Sequence, residues 1–560
     1  MSSKAHPIRV VILCRNYMFD AWEAACIREV MSLPNVKIVA LVAETKNNHQ
    51  LQSFTKKLTS YPYKNFFWRY YDRYRLKNIP AYKEISLEKE FASIPFISVT
   101  PELKGKYSQH FSADDIAKVK SHQPDIILRF AFNILRGEIL TVAQFGVWSF
   151  HHADEQIIRG GPAAFWEIYN RIPVTSAILQ RLTEKLDAGI VLKKGYFPTI
   201  FHSYKKNLDQ LLNGTTTWMK QAIIAISTGK SPAASGDAIH TTAPIFSFPR
   251  NFQMFRFRCK LLLNKIKFHW RELMQPEQWN IGVIDQTILD VLTDGLSEKI
   301  EWLPEPKSSE YYADPFGWKH KDELKIVFEK YSYKDRKGII AASDKKGNIQ
   351  PLLEAKVHLS YPFVIDREDV NKNNRVILPE SCAANHIFCF DSANPENGKI
   401  LADHIPAVDA TPVHFNDHWW IFCTLPTELS NTELHIYHAA QFEGPWKPHM
   451  NNPVKCDVRS SRPGGTPFII DGKLYRPAQD CSTSYGSAIV INEVTALSDH
   501  SFQERTVKRI EPRKEWKFNK GLHTFSIAGN NILIDAKRYT FNFDNFGHIL
   551  SRKIKRIFNK

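Results

Sequence analysis

The residues GVWSFHHADEQIIRGGPAAFW (146–166) decide how this 560-residue chain is read. A short apolar strand, VWSF, runs directly into two histidines, His151 and His152. The turn RGGP (159–162) then leads into a helical pattern, AAFWEIYN (163–170). Its glycines allow close backbone approach, and Pro162 suits a first helical turn. Upstream, PDIILRFAFNIL (124–135) contains a buried strand; downstream, SAILQRL (176–182) is strand-like and LDAG puts Asp187 at a turn. Strand C-terminal ends carry the chemistry of open parallel sheets, so the histidines occupy a favoured position.

Working outward, IRVVILC (8–14) is apolar at nearly every position, as a buried parallel strand is. Phe19, Trp22, Cys26, Val30 and Leu33 recur at helical spacing, Pro34 ends that helix, and residues 36–42 form a second strand. This βαβ opening implies a parallel sheet with a right-handed crossover. IPFISV (94–99) is a further strand, and SADDIAKVKSHQ (112–123) a helix capped by Ser112. The aromatic and basic run within residues 61–77 is expected to be an inserted helix packing its Phe and Tyr face on the sheet. Residues 207–229 are expected to form one amphipathic helix that closes the first domain.

From about residue 300 helical periodicity gives way to a strand-rich unit that recurs five times, with starts roughly 50 residues apart. ADPFGW, SYPFVI, ATPVHF, GTPFII and HTFSIA open the repeats, each followed by a polar turn and a strand of large apolar residues. Several strands per repeat at that period indicate propeller blades. The expected architecture is an α/β, Rossmann-like domain with a mostly parallel sheet over residues 1–230. A linker and basic amphipathic connector follow over 231–300, a five-bladed all-β propeller over 301–545, and a basic tail over 546–560.

A histidine with a carboxylate partner is the smallest unit for general acid–base work, and the plain alternative is a capping histidine beside an Asx turn. The order of the elements favours the first. PD-strand, G-x-x-polar-x-His, RGG-helix and LD-x-G together resemble the N-terminal catalytic domain of the folate-dependent formyltransferases, over residues 8–200. The resemblance implies N10-formyltetrahydrofolate as formyl donor and an amino sugar or sugar nucleotide as acceptor. It implies that His151 stabilises the developing oxyanion or shuttles a proton, and that Asp187 tunes it. The family's asparagine falls on Ser149, and its pteridine pocket on the loop of Phe130, Asn133, Ile134 and Leu135. Losing one oxyanion donor costs about 10²–10³ in rate, so Ser149 bears directly on activity. His152, Asp154 and Arg159 are candidates for the acceptor side.

Entry strands of a propeller line its axis. That nominates Asp314, Tyr361, Asp409 and Arg462, with Glu380 and Asp480 at the ends of second strands and His523 in the last repeat, as glycan-binding groups. Turn chemistry at each blade start is the plain alternative. The strings HLSYPFV, LPES, GPWKPH and DGKLYRPAQD resemble the propeller of plant glucosamine inositolphosphorylceramide transferases. A degenerate first domain with a glycan-binding or glycan-processing propeller is the competing expectation, since two carboxylates can cleave a glycoside.

The net charge of +16 suggests an anionic neighbour. Nucleic acid is not expected, because that reading rests only on charge and the aromatics at 64–75. FPRNFQMFRFRCKLLLNKIKFHWREL (248–273) is expected first as a helix bridging two domains with its lysines in solvent; contact of this segment and the basic tail with an anionic membrane is the lesser alternative. Eight scattered cysteines without a CxxC pair point away from a metal site and toward reduced thiols. With no signal-peptide pattern and no long apolar run, the expected location is the cytoplasm, with a peripheral place on the inner face of the membrane as the alternative.

Overall fold

A computed structural model describes residues 6–45, 63–105, 107–185, 189–227, 229, 241–320, 323–344, 347–365 and 375–558. The chain divides into two compact units, Met1–Asn264 and Lys265–Lys560.

The first unit is built on a seven-stranded sheet of β1 (Ile8–Cys14), β2 (Val36–Glu44), β3 (Phe96–Val99), β4 (Ile126–Arg129), β5 (Val147–His151), β6 (Val174–Arg181) and β7 (Ile190–Pro198). Their order is β7-β6-β5-β4-β1-β2-β3. The five strands β5 to β3 run parallel, and β6 and β7 extend the edge as an antiparallel hairpin. Val10, Val11, Ile12 and Leu13 are fully buried because helices cover both faces of a parallel sheet. Each such side chain contributes roughly 1.5–3 kcal/mol by leaving water.

The helix after β1, Ala21–Met31, starts at Asp20 with a capping box to Glu23. Helix Ala113–Ser121 is capped as expected, Ser112 Oγ accepting from the Asp115 amide at 3.1 Å. The order reverses around β1, which has β2 on one side and β4 on the other. Such a switch point leaves an open crevice at the strand C-termini.

Two expectations for this unit need correction. Residues 207–229 do not form one helix; Tyr204–Asn213 ends at Gly214 and a second helix runs Trp218–Ser227. A Cβ on Gly214 would sit 2.2 Å from the Phe197 ring, so only glycine fits where the first helix ends against β7. The aromatic run is helical over Phe66–Tyr71, but it buries only Trp68 and Tyr71 there, and Phe66, Phe67 and Tyr70 are exposed.

The second unit contains, among the described residues, five sheets of antiparallel strands arranged in a propeller-like succession. Four are consecutive in the chain, beginning with the strands Glu310–His320, Ser360–Ile365, Val408–Phe415 and Phe468–Ile470. The fifth joins both ends of the unit, because Glu277–Asp285 pairs with Asn531–Tyr539 over nine residue pairs. The strand-rich region therefore begins before residue 301, within what composition assigned to the connector. Its repeated entry strings share one backbone device. Register shifts interrupt the first strand between Ala313 and Phe316, Ser360 and Phe363, Val408 and Thr411, and Leu522 and Phe525. Asp314, Tyr361 and Asp409, at the first bulged position, hold φ of 53°, 42° and 53°. Left-handed backbone at three equivalent non-glycine positions is strain kept for a purpose.

Candidate functional site

In the first unit, β4 ends on Arg129 and its parallel neighbour β5 carries Ser149 and His151. Arg129 donates from Nη1 to Ser149 Oγ at 2.8 Å, and from Nη2 to the Phe132 and Asn133 carbonyls at 2.8 and 2.9 Å. Phe132 holds φ of 71°, a costly conformation for a bulky residue, and its carbonyl is one of those that meet the guanidinium. Burial pushes the Arg129 pKa down, and among the described residues no carboxylate offsets that cost. Its Nε is buried without a partner. A buried cation without a carboxylate beside it among the described residues attracts an anion or a developing negative charge.

Arg129, Ser149 and His151 open onto a cavity of about 160 Å³, walled by Ile134, Leu135 and Gln180. Arg136 and Lys185 add two more cations, and no carboxylate is found among its described lining residues. His151 Nε2 lies 3.5 Å from the Ile158 carbonyl. Asp187 lies outside the described residues; Lys185 and Gly189, on either side of it, both line the cavity. At Gly189 a Cβ would sit 2.8 Å from the Arg181 carbonyl oxygen, which accounts for the glycine of LDAG.

The remaining nominated residues of this unit lie elsewhere. Phe130 packs edge-on against Phe19 and Trp22, at 6.4 and 6.1 Å. The Asn133 amide donates to Gln109 Oε1 at 2.6 Å. His152 stacks on Phe150 at 5.6 Å and meets Trp22 at 5.2 Å. Burial, with a smaller contribution from His151, pulls the His152 pKa down to about 3, so it stays neutral. Asp154 binds Lys194 at 2.9 Å, and Arg159 donates to the Ala243 carbonyl at 2.7 Å. Arg129 was absent from the sequence-based set. Its only signal was a lone arginine following three buried apolar residues.

In the second unit, Asp314, Glu380, Asp409, Arg462 and His523 converge on a polar cavity of about 150 Å³. Trp279, Tyr311, Glu329, His358 and Tyr485 complete much of its wall and were not foreseen. Tyr361 is fully buried and acts from beneath, its hydroxyl meeting Thr411 Oγ1 at 2.9 Å and accepting from the Gly465 amide at 2.9 Å. Asp480 is set apart, paired with Arg509 at 3.0 Å.

Two charge systems occupy this well. Asp409 is gripped by Arg462 at 2.6 Å and by Gln479 at 3.0 Å, and its amide donates to Glu380 at 3.3 Å. Burial, and then the charge of Asp409, push the Glu380 pKa up to about 8. His523 Nε2 lies 3.1 Å from Asp314, and Nδ1 lies 2.9 Å from Asp535. The Nδ1 contact is one of charge, since its N–H is not aimed at the carboxylate. Burial opposes the imidazolium, but Asp535 and Asp314 outweigh it and hold the pKa up to about 10. Burial would also raise Asp314, yet His523 keeps it below the usual carboxylate range. Ligand atoms of Asp314, His523 and Asp535 lie within 4.8 Å of one another, so a metal ion could sit there only by displacing the imidazolium proton.

A stability prediction follows from this triad. A histidine raised from 6.5 in the unfolded chain to about 10 contributes fully below pH 6.5, and that contribution fades as pH rises toward 10. The melting-temperature difference between the native protein and His523→Gln should therefore shrink across that window. A constant difference would show that the imidazolium is not the stabilising form.

The second unit also has known relatives. Residues 303–529 match the family model described as glucosamine inositolphosphorylceramide transferase 1, N-terminal. The glucosamine inositolphosphorylceramide transferase 1 of Arabidopsis thaliana is 33% identical over 211 residues, covering 35% of this chain and 27% of that protein. Its counterpart in Oryza sativa subsp. japonica is 31% identical over 211 residues, covering 35% of this chain and 28% of that protein. The chain thus spans about a quarter of the length of these relatives.

The N-terminal region is similar in structure to formyltransferases. A sugar N-formyltransferase from Shewanella sp. FDAARGOS_354 aligns at 12% identity and a TM-score of 0.27, covering 43% of this chain and 77% of that one. Glycinamide ribonucleotide transformylase 1 from Symbiobacterium toebii aligns at 12% identity and a TM-score of 0.28, covering 40% and 90%. At such scores these likenesses carry no argument about chemistry, which rests on the side chains above.

Proposed function

We propose that the first unit transfers a formyl group from N10-formyltetrahydrofolate to the amine of an amino sugar or sugar nucleotide, while the second unit binds the glycan in its polar well. The observation that carries this reading is the donor set of Arg129 and Ser149 beside His151, at the C-terminal ends of adjacent parallel strands.

The cavity suits the donor molecule. Ile134 and Leu135 offer an apolar wall, Arg136 and Lys185 suit an anionic tail, and the orphaned Arg129 Nε calls for an acceptor. When bound, the folate supplies an electrophilic formyl carbon. Arg129 and Ser149 then present N–H and O–H groups where negative charge gathers on the carbonyl oxygen. Accepting from Arg129 leaves Ser149 its own proton to donate, since its contact with the Phe150 carbonyl is a long 3.4 Å. His151 takes the proton that the attacking amine must lose and can return it to N10 as the bond between N10 and the formyl carbon breaks and tetrahydrofolate leaves.

In the second unit we read the five sheets as blades of one propeller, with the bulged entry residues facing its axis. Carboxylates interleaved with Trp279, Tyr311 and Tyr485 offer a sugar both hydrogen bonds and ring faces. Eight scattered cysteines without a CxxC pair fit a reducing compartment, the cytoplasm.

A second reading has one specific observation in its favour. Glu380, protonated up to about pH 8, lies beside Asp409, which Arg462 grips at 2.6 Å; a glycoside-cleaving acid beside a second carboxylate is arranged in this way. Mass spectrometry of nucleotide-linked amino sugars incubated with the folate donor separates the readings. Formyl gain lost in His151→Ala and kept in Asp314→Ala supports transfer in the first unit. A glycan-directed activity lost in Glu380→Gln and kept in His151→Ala, with no formyl gain, overturns it.

A further inference from the structure

Two segments of the first unit, residues 63–77 and 245–264, are far apart in sequence and joined in space. Asn65 Nδ2 donates to the Phe248 and Pro249 carbonyls, both at 2.8 Å, and Asn251 Nδ2 returns a bond to the Tyr63 carbonyl at 2.6 Å. Asn251 Oδ1 also accepts from the Phe67 amide at 3.1 Å. Beneath them Trp68 is buried, stacked on Phe248 at 6.0 Å and edge-on to Phe165 at 5.7 Å. This reciprocal pinning fixes the outward-facing side chains on a rigid base.

What it presents is apolar and cationic at once. Eleven of the thirty large apolar side chains exposed among the described residues fall in these 35 positions. Phe252 is 69% exposed and Phe255 61%. Phe66, Phe67, Tyr70 and Phe255 enclose an open apolar groove of about 500 Å³ with Arg258 at its edge. The same 35 residues carry nine lysines and arginines against one carboxylate, Asp72, which is half of the chain's net charge of +16. Of its 24 residues, the helix Asn251–Met274 buries only Met254 and Phe257. Soluble proteins seldom leave so concentrated an aromatic patch bare.

We propose that this face docks on an anionic lipid bilayer, with phenylalanines and tyrosines seated at the headgroup level and the arginines on lipid phosphates. Rings mixed with basic groups on a rigid amphipathic surface are the composition of an interfacial anchor. Leu262 and Leu263, both exposed, suit hydrocarbon and offer nothing to a base edge or a phosphate. The excess positive charge gains from anionic headgroups within a Debye length and loses that gain in salt. The surface would hold the enzyme at a membrane; it is independent of the formyl-transfer reading.

Co-sedimentation of the full chain with vesicles tests this, using phosphatidylcholine alone and an equal mixture of phosphatidylcholine and phosphatidylglycerol. Binding to the mixed vesicles should be about tenfold or more stronger than to the neutral ones and should fall in salt. Phe252→Ser with Phe255→Ser, and separately Arg73→Glu with Arg250→Glu, should each weaken it about tenfold, with unchanged thermal melting. Should the apolar pair disturb the fold, the charge pair, wholly at the surface, still decides. No vesicle binding, or binding indifferent to both pairs, overturns the proposal. So does a dimer or an RNA complex that these substitutions abolish while vesicles are ignored.

Discussion

Replacing Arg129 by alanine is expected to slow formyl transfer by about 10²–10³-fold, the cost of one well-placed oxyanion donor. The loss should fall on kcat, with the KM for the folate donor little changed, because the guanidinium meets charge that gathers only in the transition state. Arg129→Lys should recover little. A lysine keeps the charge but cannot hold Ser149 Oγ and the Phe132 and Asn133 carbonyls together, as the planar fork does. Steady-state kinetics of both variants on a formyl acceptor give the answer. Full activity in Arg129→Ala would mean that Ser149 and His151 act without it. Arg129→Ala also leaves the Phe132 and Asn133 carbonyls without their guanidinium donor, so it should melt lower than the native protein by a few degrees; a variant still folded at the assay temperature separates a catalytic loss from an unfolded one.

The largest stability effect is expected in the second unit. Arg476 is fully buried, donating to Glu504 at 2.7 and 3.1 Å and to the Ser460 and Ser461 carbonyls at 2.7 and 3.1 Å. Lys455 completes the set on Glu504 at 2.6 Å. Arg476→Ala leaves a buried carboxylate with one partner and two carbonyls without any, at a cost of about 3–5 kcal/mol. Chemical denaturation of the full chain would show it as an earlier transition. Arg476→Met combined with Glu504→Leu should be less damaging than Arg476→Ala, because the charge that needs a partner leaves with it. If the double variant were the worse of the two, the network would be a net stabiliser.

The parallel strands were legible because burial on both faces writes itself as unbroken apolar runs, and IRVVILC and PDIILRF are such runs. The Ser112 cap and the five repeat entries were legible for similar local reasons. Position across the fold was not. Nothing near Gly214 announces that Phe197, on a strand, leaves no room for a side chain there. His152 beside His151 reads as a second polar group, whereas strand alternation turns it onto Trp22 and Phe150. Arg129 reads as the polar end of a strand until the neighbouring strand brings Ser149 to it. In the well, the bulged entry residues were found through their repetition. Trp279 and Tyr485 were not, since they come from outside the repeated strings.

The pairing of Glu277–Asp285 with Asn531–Tyr539 also governs how the second unit can be made. During synthesis the first of these strands leaves the ribosome well before its partner exists, so it waits with unpaired backbone along an apolar edge. A chain stopped short of residue 531 would keep that edge permanently and should be cleared or aggregate, not persist as a smaller fold. The last sheet thus works as a check that the second unit has been made through to its closing strand.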